Sequence, residues 1–302
     1  MRFRALSIAL GLCLASITTA DLVSDFIKPP ASARPWVYWF WLNGNISKAG
    51  ITSDLEAMSR VGIGGVLIME TDQGTPVGPV AFGSPEWRTL FKHVVSEGAR
   101  LGIEVNMNDD AGWCGSGGPW IKPEQSMQKV VWSEVHVEGG KSVDVALPQP
   151  ETIAGFYRDV AVVAFPTTGA FRIPDIAGKA GYVRQDFGST AIATEQAPQD
   201  SVIPTGKVVD LTRLADRASA PQMRTEGPRS FTWSPPPGRW TIMRIGHTST
   251  GRVNLPAPKT GEGLECDKLS KEGAEAAFNG FIAKLIGDNK PLVGKAFVRT
   301  HI

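Results

Sequence analysis

Residues 36–108 alternate apolar runs with amphipathic stretches, and no hairpin signal falls between them. Tight turns join antiparallel strands, whereas parallel strands need a crossover of a dozen or more residues, most often a helix that returns right-handed. The alternation therefore predicts a parallel α/β unit. Its first run, residues 36–41 (Trp-Val-Tyr-Trp-Phe-Trp), consists of β-formers and is too short for a buried helix. Ser47 is placed to cap a helix with Ile51, Leu55, Met58 and Val61 on one face, ending at Gly62. Residues 65–70 form the second strand. Ser84-Pro85-Glu86 then supplies a capping hydroxyl, a proline suited to the first turn and an acid facing the helix dipole. Trp87, Leu90, Phe91, Val94, Val95 and Leu101 give that helix its apolar face, Gly102 closes it, and residues 103–108 are the third strand.

The same rhythm returns near the end. Ser270 caps a helix carrying Ala274, Ala277, Phe278, Phe281, Ile282 and Leu285, and residues 295–302 read as a fourth strand. Between the two parts lie short β-like runs at 130–137, 142–147, 160–165, 208–211, 229–233 and 240–245, with Pro235-Pro236-Pro237-Gly238 as a turn. Such spacing predicts an antiparallel β-sandwich inserted into the α/β unit. The expected organisation is a leader at 1–20, α/β at 21–124, the insertion at 125–255 and returning α/β at 256–302. An eight-stranded α/β barrel needs ~250 residues of its own. The fold class expected is thus the N-terminal half of a (β/α)8 barrel, with its other strands beyond Ile302.

Arg2 and Arg4, the apolar stretch 5–17 and Thr18-Thr19-Ala20 have the order of a secretory signal cut before Asp21, which predicts a periplasmic or secreted protein. Bulky Leu12 argues against lipidation of Cys13. No later apolar stretch approaches the ~20 residues of a membrane span. A formal net charge of +1 gives no pull toward nucleic acid or anionic lipid. Export leaves Cys114 and Cys266 in an oxidising compartment, either bridged or as two free thiols.

In α/β barrels the reactive groups stand at the C-terminal ends of the strands. Here those ends offer Asn43 and Asn45, then Glu70 and Asp72, then Asn108, Asp109 and Asp110. The loop that follows, residues 111–120, combines closely spaced glycines with Trp113 and Trp120. Amides and carboxylates can hydrogen-bond sugar hydroxyls, and an indole offers a flat face for the apolar side of a pyranose. The nine Trp against three Tyr suit such stacking, although most serve a core. Simpler roles stand beside these: Asn43 and Asn45 as turn residues, Asp109 and Asp110 as a polar loop start. The glycine-rich loop lacks the Gly-Lys-Ser/Thr ending of a phosphate cradle. The four histidines fit no metal spacing, and no Gly-x-Ser-x-Gly elbow is present.

The segments 39–46 (Trp-Phe-Trp-Leu-Asn-Gly-Asn-Ile), 50–58, 84–88, 112–113, 117–121, 256–258 and 263–269 strongly resemble glycoside hydrolase family 106, the α-L-rhamnosidases. The resemblance implies a (β/α)8 barrel with inserted β-domains, a calcium dependence, a rhamnose-containing glycoside or glycan as partner, and inversion at the anomeric carbon. It puts both catalytic glutamates beyond Ile302, so no catalytic residue is assigned within this chain. On the resemblance, Trp41, Asn43, Asn108, Asp110, Trp113, Glu265 and Asp267 line the sugar and calcium site. Chain order alone sets Glu265 and Asp267 before a helix, away from the rim, where acids also favour the dipole. Calcium takes six to eight oxygens, and no ligand set is assigned. Cys114 stands where a small hydroxyl residue is expected. The alternative is a carbohydrate-binding or degenerate barrel protein without catalysis.

Overall fold

A computed structural model describes residues 22–169, 171–173, 196, 198–218 and 227–302. The leader read at 1–20 lies outside the described residues. After a short helix α1 (Leu22–Ile27) come β1 (Trp36–Leu42), α2 (Lys48–Arg60), β2 (Gly65–Thr71), α3 (Pro85–Leu101) and β3 (Glu104–Asn108). The expected caps form: Ser47 and Ser84 accept from the Gly50 and Trp87 amides, and Gly102 closes α3 in the left-handed region at φ 69°. Helix α2 stops at Arg60, so Val61 is an exposed cap residue and not part of the buried face.

Strand β1 pairs in parallel with β2, and β2 with β3. The register places Val37, Trp39 and Trp41 beside Val66, Ile68 and Glu70 on the face that α2 and α3 cover. Trp36, Tyr38 and Phe40 point the other way and are 42%, 60% and 46% exposed. Residues 36–41 are therefore not a fully buried strand. Their run is continuous because both faces are apolar, yet among the described residues helices cover only one.

The insertion begins with β4 (Gln128–Glu138), β5 (Val143–Leu147), β6 (Tyr157–Pro166) and β7 (Val209–Asp210). A helix α4 (Thr212–Ala218), β8 (Arg229–Trp233) and β9 (Arg239–Ser249) complete it. Its strands form one antiparallel sheet ordered β4-β9-β6-β7 and a second pair β5-β8. Val145, Leu147 and Phe231 of the pair meet Val162, Ala164, Trp240 and Ile242 of the larger sheet in one apolar core. Helix α4 was not expected from the sequence. Its buried Ala215 fills a corner of that core. The insertion leaves and rejoins the parallel unit at a single neck, where Gln128 pairs with Ser249 and the Ser126 and Ser249 hydroxyls are 2.7 Å apart.

Beyond the neck, the single helix expected at 271–285 is two: α5 (Lys271–Gly280) and α6 (Ile282–Asp288). Phe281 breaks the helix at φ −135°, ψ −69°. The break drives its ring into the core, stacked on Trp120 at 5.7 Å and packed against Phe82 and Trp87. Gly280 permits this, because a Cβ there would lie 2.1 Å from the Trp120 ring. Phe278, expected inside, is 49% exposed. Strand β10 (Phe297–His301) then pairs in parallel with β3, giving the order β1-β2-β3-β10. The fold is mixed α/β. Its parallel strands form an open sheet, not a closed barrel, within the described residues.

Candidate functional site

Asn43, Asp110 and Trp113 all follow the C-terminal ends of the parallel strands and share one rim of the sheet. Just after β1 the chain turns back: Asn43 adopts φ 51°, a conformation asparagine tolerates. Its backbone amide donates to Thr71 O at 2.8 Å and its Nδ2 to Thr75 O at 2.9 Å. Asn45 Nδ2 likewise donates to Leu42 O at 2.9 Å and to Pro76 O at 2.8 Å. Both amides hold the turn. Trp41, expected to line a sugar, is only 2% exposed and packs edge-on against Trp39 and Trp87. The pleat decides this, since Trp41 lies on the helix-covered face.

Glu70 lies beneath the same turn, fully buried. It accepts from the Gly44 amide at 2.8 Å and from Trp87 Nε1 at 3.1 Å. Burial pushes its carboxyl up to about 7, against the opposing pull of these two donors. The group pins the β1–α2 turn to α3 and does not reach the rim.

At the end of β3, Asp110 is fully buried and acts as the core of its loop. Its Oδ1 accepts from the Gly115 amide and its Oδ2 from those of Ser116 and Gly117, at 2.9, 2.9 and 2.7 Å. Asn108 Nδ2 adds a bond to Asp110 Oδ1 at 2.9 Å and another to Gly112 O at 3.0 Å, while Asn108 Oδ1 faces His301 Nδ1 at 3.1 Å. Burial pushes Asp110 up to about 6 despite these donors, and the charge of Glu265 adds to the rise. Asn108 and Asp110 thus shape the 112–117 loop from within and present no free polar atom to a ligand. Next to them, burial also pushes Asp109 up to about 6; Thr300 bonds it, and its Oδ1 is buried without a partner.

What that loop presents outward is Trp113. Its amide donates to Leu255 O at 3.0 Å, its indole is 45% exposed, and it meets the Phe40 ring edge-on at 5.6 Å. Phe40 in turn stacks with Tyr38 at 6.0 Å. Together they make an aromatic ledge along the rim. Glu265 belongs to this rim, contrary to its place in chain order: Gly117 and Glu265 form a β-bridge, and its carboxylate bonds the Cys114 thiol. Asp267 does not join it. Its Oδ1 accepts from the Leu269 amide at 3.0 Å, shaping the turn before α5.

Cys114 and Cys266 stand as free thiols, so the bridge considered from sequence is not formed. Burial and the nearby charges of Glu265 and Asp110 push Cys114 up to about 11, which keeps it an unreactive thiol. Nor do the residues fit calcium. Among the described residues no group of three or more His, Cys, Asp or Glu is placed to hold a metal ion, and the oxygens of Asp110 are committed to amides. Two structural residues of the site were not anticipated. Asn254, fully buried, donates to Ala111 O at 2.8 Å and Gly261 O at 3.0 Å and accepts from the Gly263 amide at 2.8 Å. No motif marks it. Phe40 could have been found by reading residues 36–41 with period two.

Comparison with known proteins gives three findings. Residues 27–170 and 165–302 match glycoside hydrolase family 106, described as alpha-L-rhamnosidase. A protein of Formosa agariphila named as a candidate beta-glucuronidase is 40% identical over 303 residues, which span 96% of this chain and 25% of that protein. A rhamnosidase from Novosphingobium sp. PP1Y shares the fold, with a TM-score of 0.70 at 24% identity over 91% of this chain and 39% of the solved chain. The chain thus spans about a quarter of the length of the curated relative it matches.

Proposed function

The chain belongs to glycoside hydrolase family 106, and from that premise we propose that it forms the sugar-facing part of an enzyme hydrolysing terminal α-L-rhamnosyl linkages. The observation that carries this reading is the Phe40–Trp113 ledge, held at the strand ends by a loop that three backbone amides fasten to the buried Asp110 carboxylate. Rhamnose carries a methyl group and apolar C–H faces, which suit an exposed indole. Glu265 is the rim carboxylate with solvent access to meet hydroxyls, whereas Asp109 Oδ1 is buried. In this reading the parallel sheet is part of a (β/α)8 barrel, and the general acid and base lie outside residues 22–302. An inverting pair would stand ~6.5–9.5 Å apart to admit water. Segment 1–20 directs the protein out of the cytoplasm. No helix among the described residues is long and apolar enough to cross a membrane.

A second reading, cleavage of a β-glucuronide, draws on the name of the 40% identical relative. Assay of the protein carrying this chain on aryl α-L-rhamnopyranoside and aryl β-D-glucuronide separates the two. Release from the first alone is expected; release from the second alone overturns the rhamnosidase reading, and release from neither favours a binding role. Trp113→Ala should raise KM roughly tenfold, the loss of about 1.4 kcal/mol of stacking, with little change in kcat.

A further inference from the structure

The insertion carries a polar cleft of about 410 Å3, lined among others by His136, Phe165, Thr167, Arg172, Arg239 and Thr241. That volume falls in the ~300–1,000 Å3 range of small-molecule sites. Register explains the gathering. His136 of β4, Thr241 of β9 and Phe165 of β6 form one cross-strand rung. Trp240 and Ile242, on either side of Thr241, turn into the core, so this rung and Arg239 face outward. The chain after β6 walls the cleft: the Thr167 amide donates to Arg239 O at 2.9 Å, and Arg172 reaches Glu134 at 2.8 Å.

Two features distinguish this cleft from ordinary wet surface. Its hydroxyls are ordered in a chain, with His136 Nδ1 at 3.0 Å and Thr167 Oγ1 at 2.9 Å from Thr241 Oγ1, and Thr241 is only 2% exposed. Arg239, by contrast, is exposed, and its guanidinium has no hydrogen bond or ion pair among the described residues. The acids nearby are Glu134, engaged by Arg172, and Glu138, opposite Arg239 in register without pairing to it. A planar guanidinium grips a carboxylate or sulfate through two parallel bonds, and ordered hydroxyls pair with sugar hydroxyls. We propose that this cleft is a second saccharide site, distinct from the rim, for an acidic sugar whose anionic group meets Arg239. The Phe165 ring offers an apolar wall for the pyranose.

Titration calorimetry on the protein carrying this chain with methyl β-D-glucuronide, glucose 6-sulfate and methyl β-D-glucoside tests this. Binding of at least one acidic sugar, and not of the neutral one at the same concentration, is expected; the acidic sugar that binds identifies the anionic group. Arg239→Gln should weaken it roughly tenfold, the scale of one lost charge-assisted bond, and Glu138→Gln should tighten it. Because Arg239 is exposed, circular dichroism of the variant should match the parent. The proposal is overturned if neither acidic sugar binds, if the neutral sugar binds equally, or if Arg239→Gln changes nothing. It also fails if inorganic sulfate binds as tightly as the sugars, or if Trp113→Ala is the variant that removes binding, which would put the sugar at the rim.

Discussion

The parallel unit and the insertion both withdraw carboxylates from water, fully in the first and in part in the second, and they stabilise them by opposite means. In the insertion, Asp159 sits between two arginines: Arg244 Nε and the Tyr157 hydroxyl reach Oδ1, each at 2.7 Å, and Arg229 Nε reaches Oδ2 at 2.8 Å. Burial alone would raise its carboxyl, but the guanidiniums outweigh that and hold it below the usual range. In the parallel unit, Glu70 and Asp110 are bonded only by neutral donors: backbone amides, the Trp87 indole and the Asn108 amide. Neutral donors do not offset desolvation, and both carboxyls rise. Carboxylates withdrawn from water therefore respond to pH in opposite directions, according to whether a cation is present.

The largest effect that sharpens this contrast is Asp159→Ala. It leaves two buried guanidiniums facing each other and should destabilise the insertion by about 3–5 kcal/mol. Hydrogen exchange should locate the loss in β6, β8 and β9 with β1–β3 unchanged; equal loss in both regions would mean that they unfold together.

Next comes pH. A buried acid with a raised carboxyl stays protonated in the fold while the unfolded chain ionises, so its contribution is full at low pH and falls as pH rises. For Glu70 that window runs from the ordinary carboxyl value of 4.5 to about 7. The loss across it is on the order of 3 kcal/mol. Asp159 has the opposite sign. Its contribution is present above the unfolded carboxylate value of 3.8 and disappears as pH falls through its lower folded value. Between pH 4.5 and 7 the parallel unit should weaken as pH rises while the insertion does not, since burial and the charge of Arg158 lower His247 there and so favour the fold as pH rises; regional hydrogen exchange corrected for intrinsic rates reads both. Glu70→Gln should reduce the first trend and leave the share of Asp109 and Asp110, whose carboxyls rise to about 6; an unaltered slope would place its origin elsewhere.

Asp110→Asn should cost about 2 kcal/mol, since one amide oxygen cannot serve three backbone donors. The loss should concentrate in the Gly115, Ser116 and Gly117 amides, and protection left intact there would contradict the loop-core role. The smallest effect is Trp113→Ala, which should move stability by no more than about 0.5 kcal/mol because the indole is largely outside the core.

These contrasts bear on how much the chain discloses before its fold is known. Caps, the Gly102 stop and strand–helix alternation were legible because each is a local signal: Ser47, Ser84 and Ser270 all cap as read, although Gly287, read as a stop, lies within α6. The rim itself was legible, since strand ends set it. The role of each rim residue was not, because that depends on partners far along the chain. Asp110 reads as an open acid until Gly115 to Gly117 fold back on it, and Glu265 joins the rim only through Gly117. Trp41 was misassigned for a different reason. An unbroken aromatic run hides its own two-residue period, so neither face stands out. The broken helix at Phe281 follows from Trp120, more than a hundred residues earlier.

The paired neck of the insertion has a further consequence. Because Gln128 and Ser249 are clasped side by side, the entropy of closing the chain between them is settled within the insertion itself. To the parallel strands, the whole excursion is equivalent to a hairpin loop of a few residues. Lengthening, shortening or replacing what lies beyond the clasp should therefore leave the assembly of β3 with β10 almost untouched, which makes this the natural point for exchanging modules.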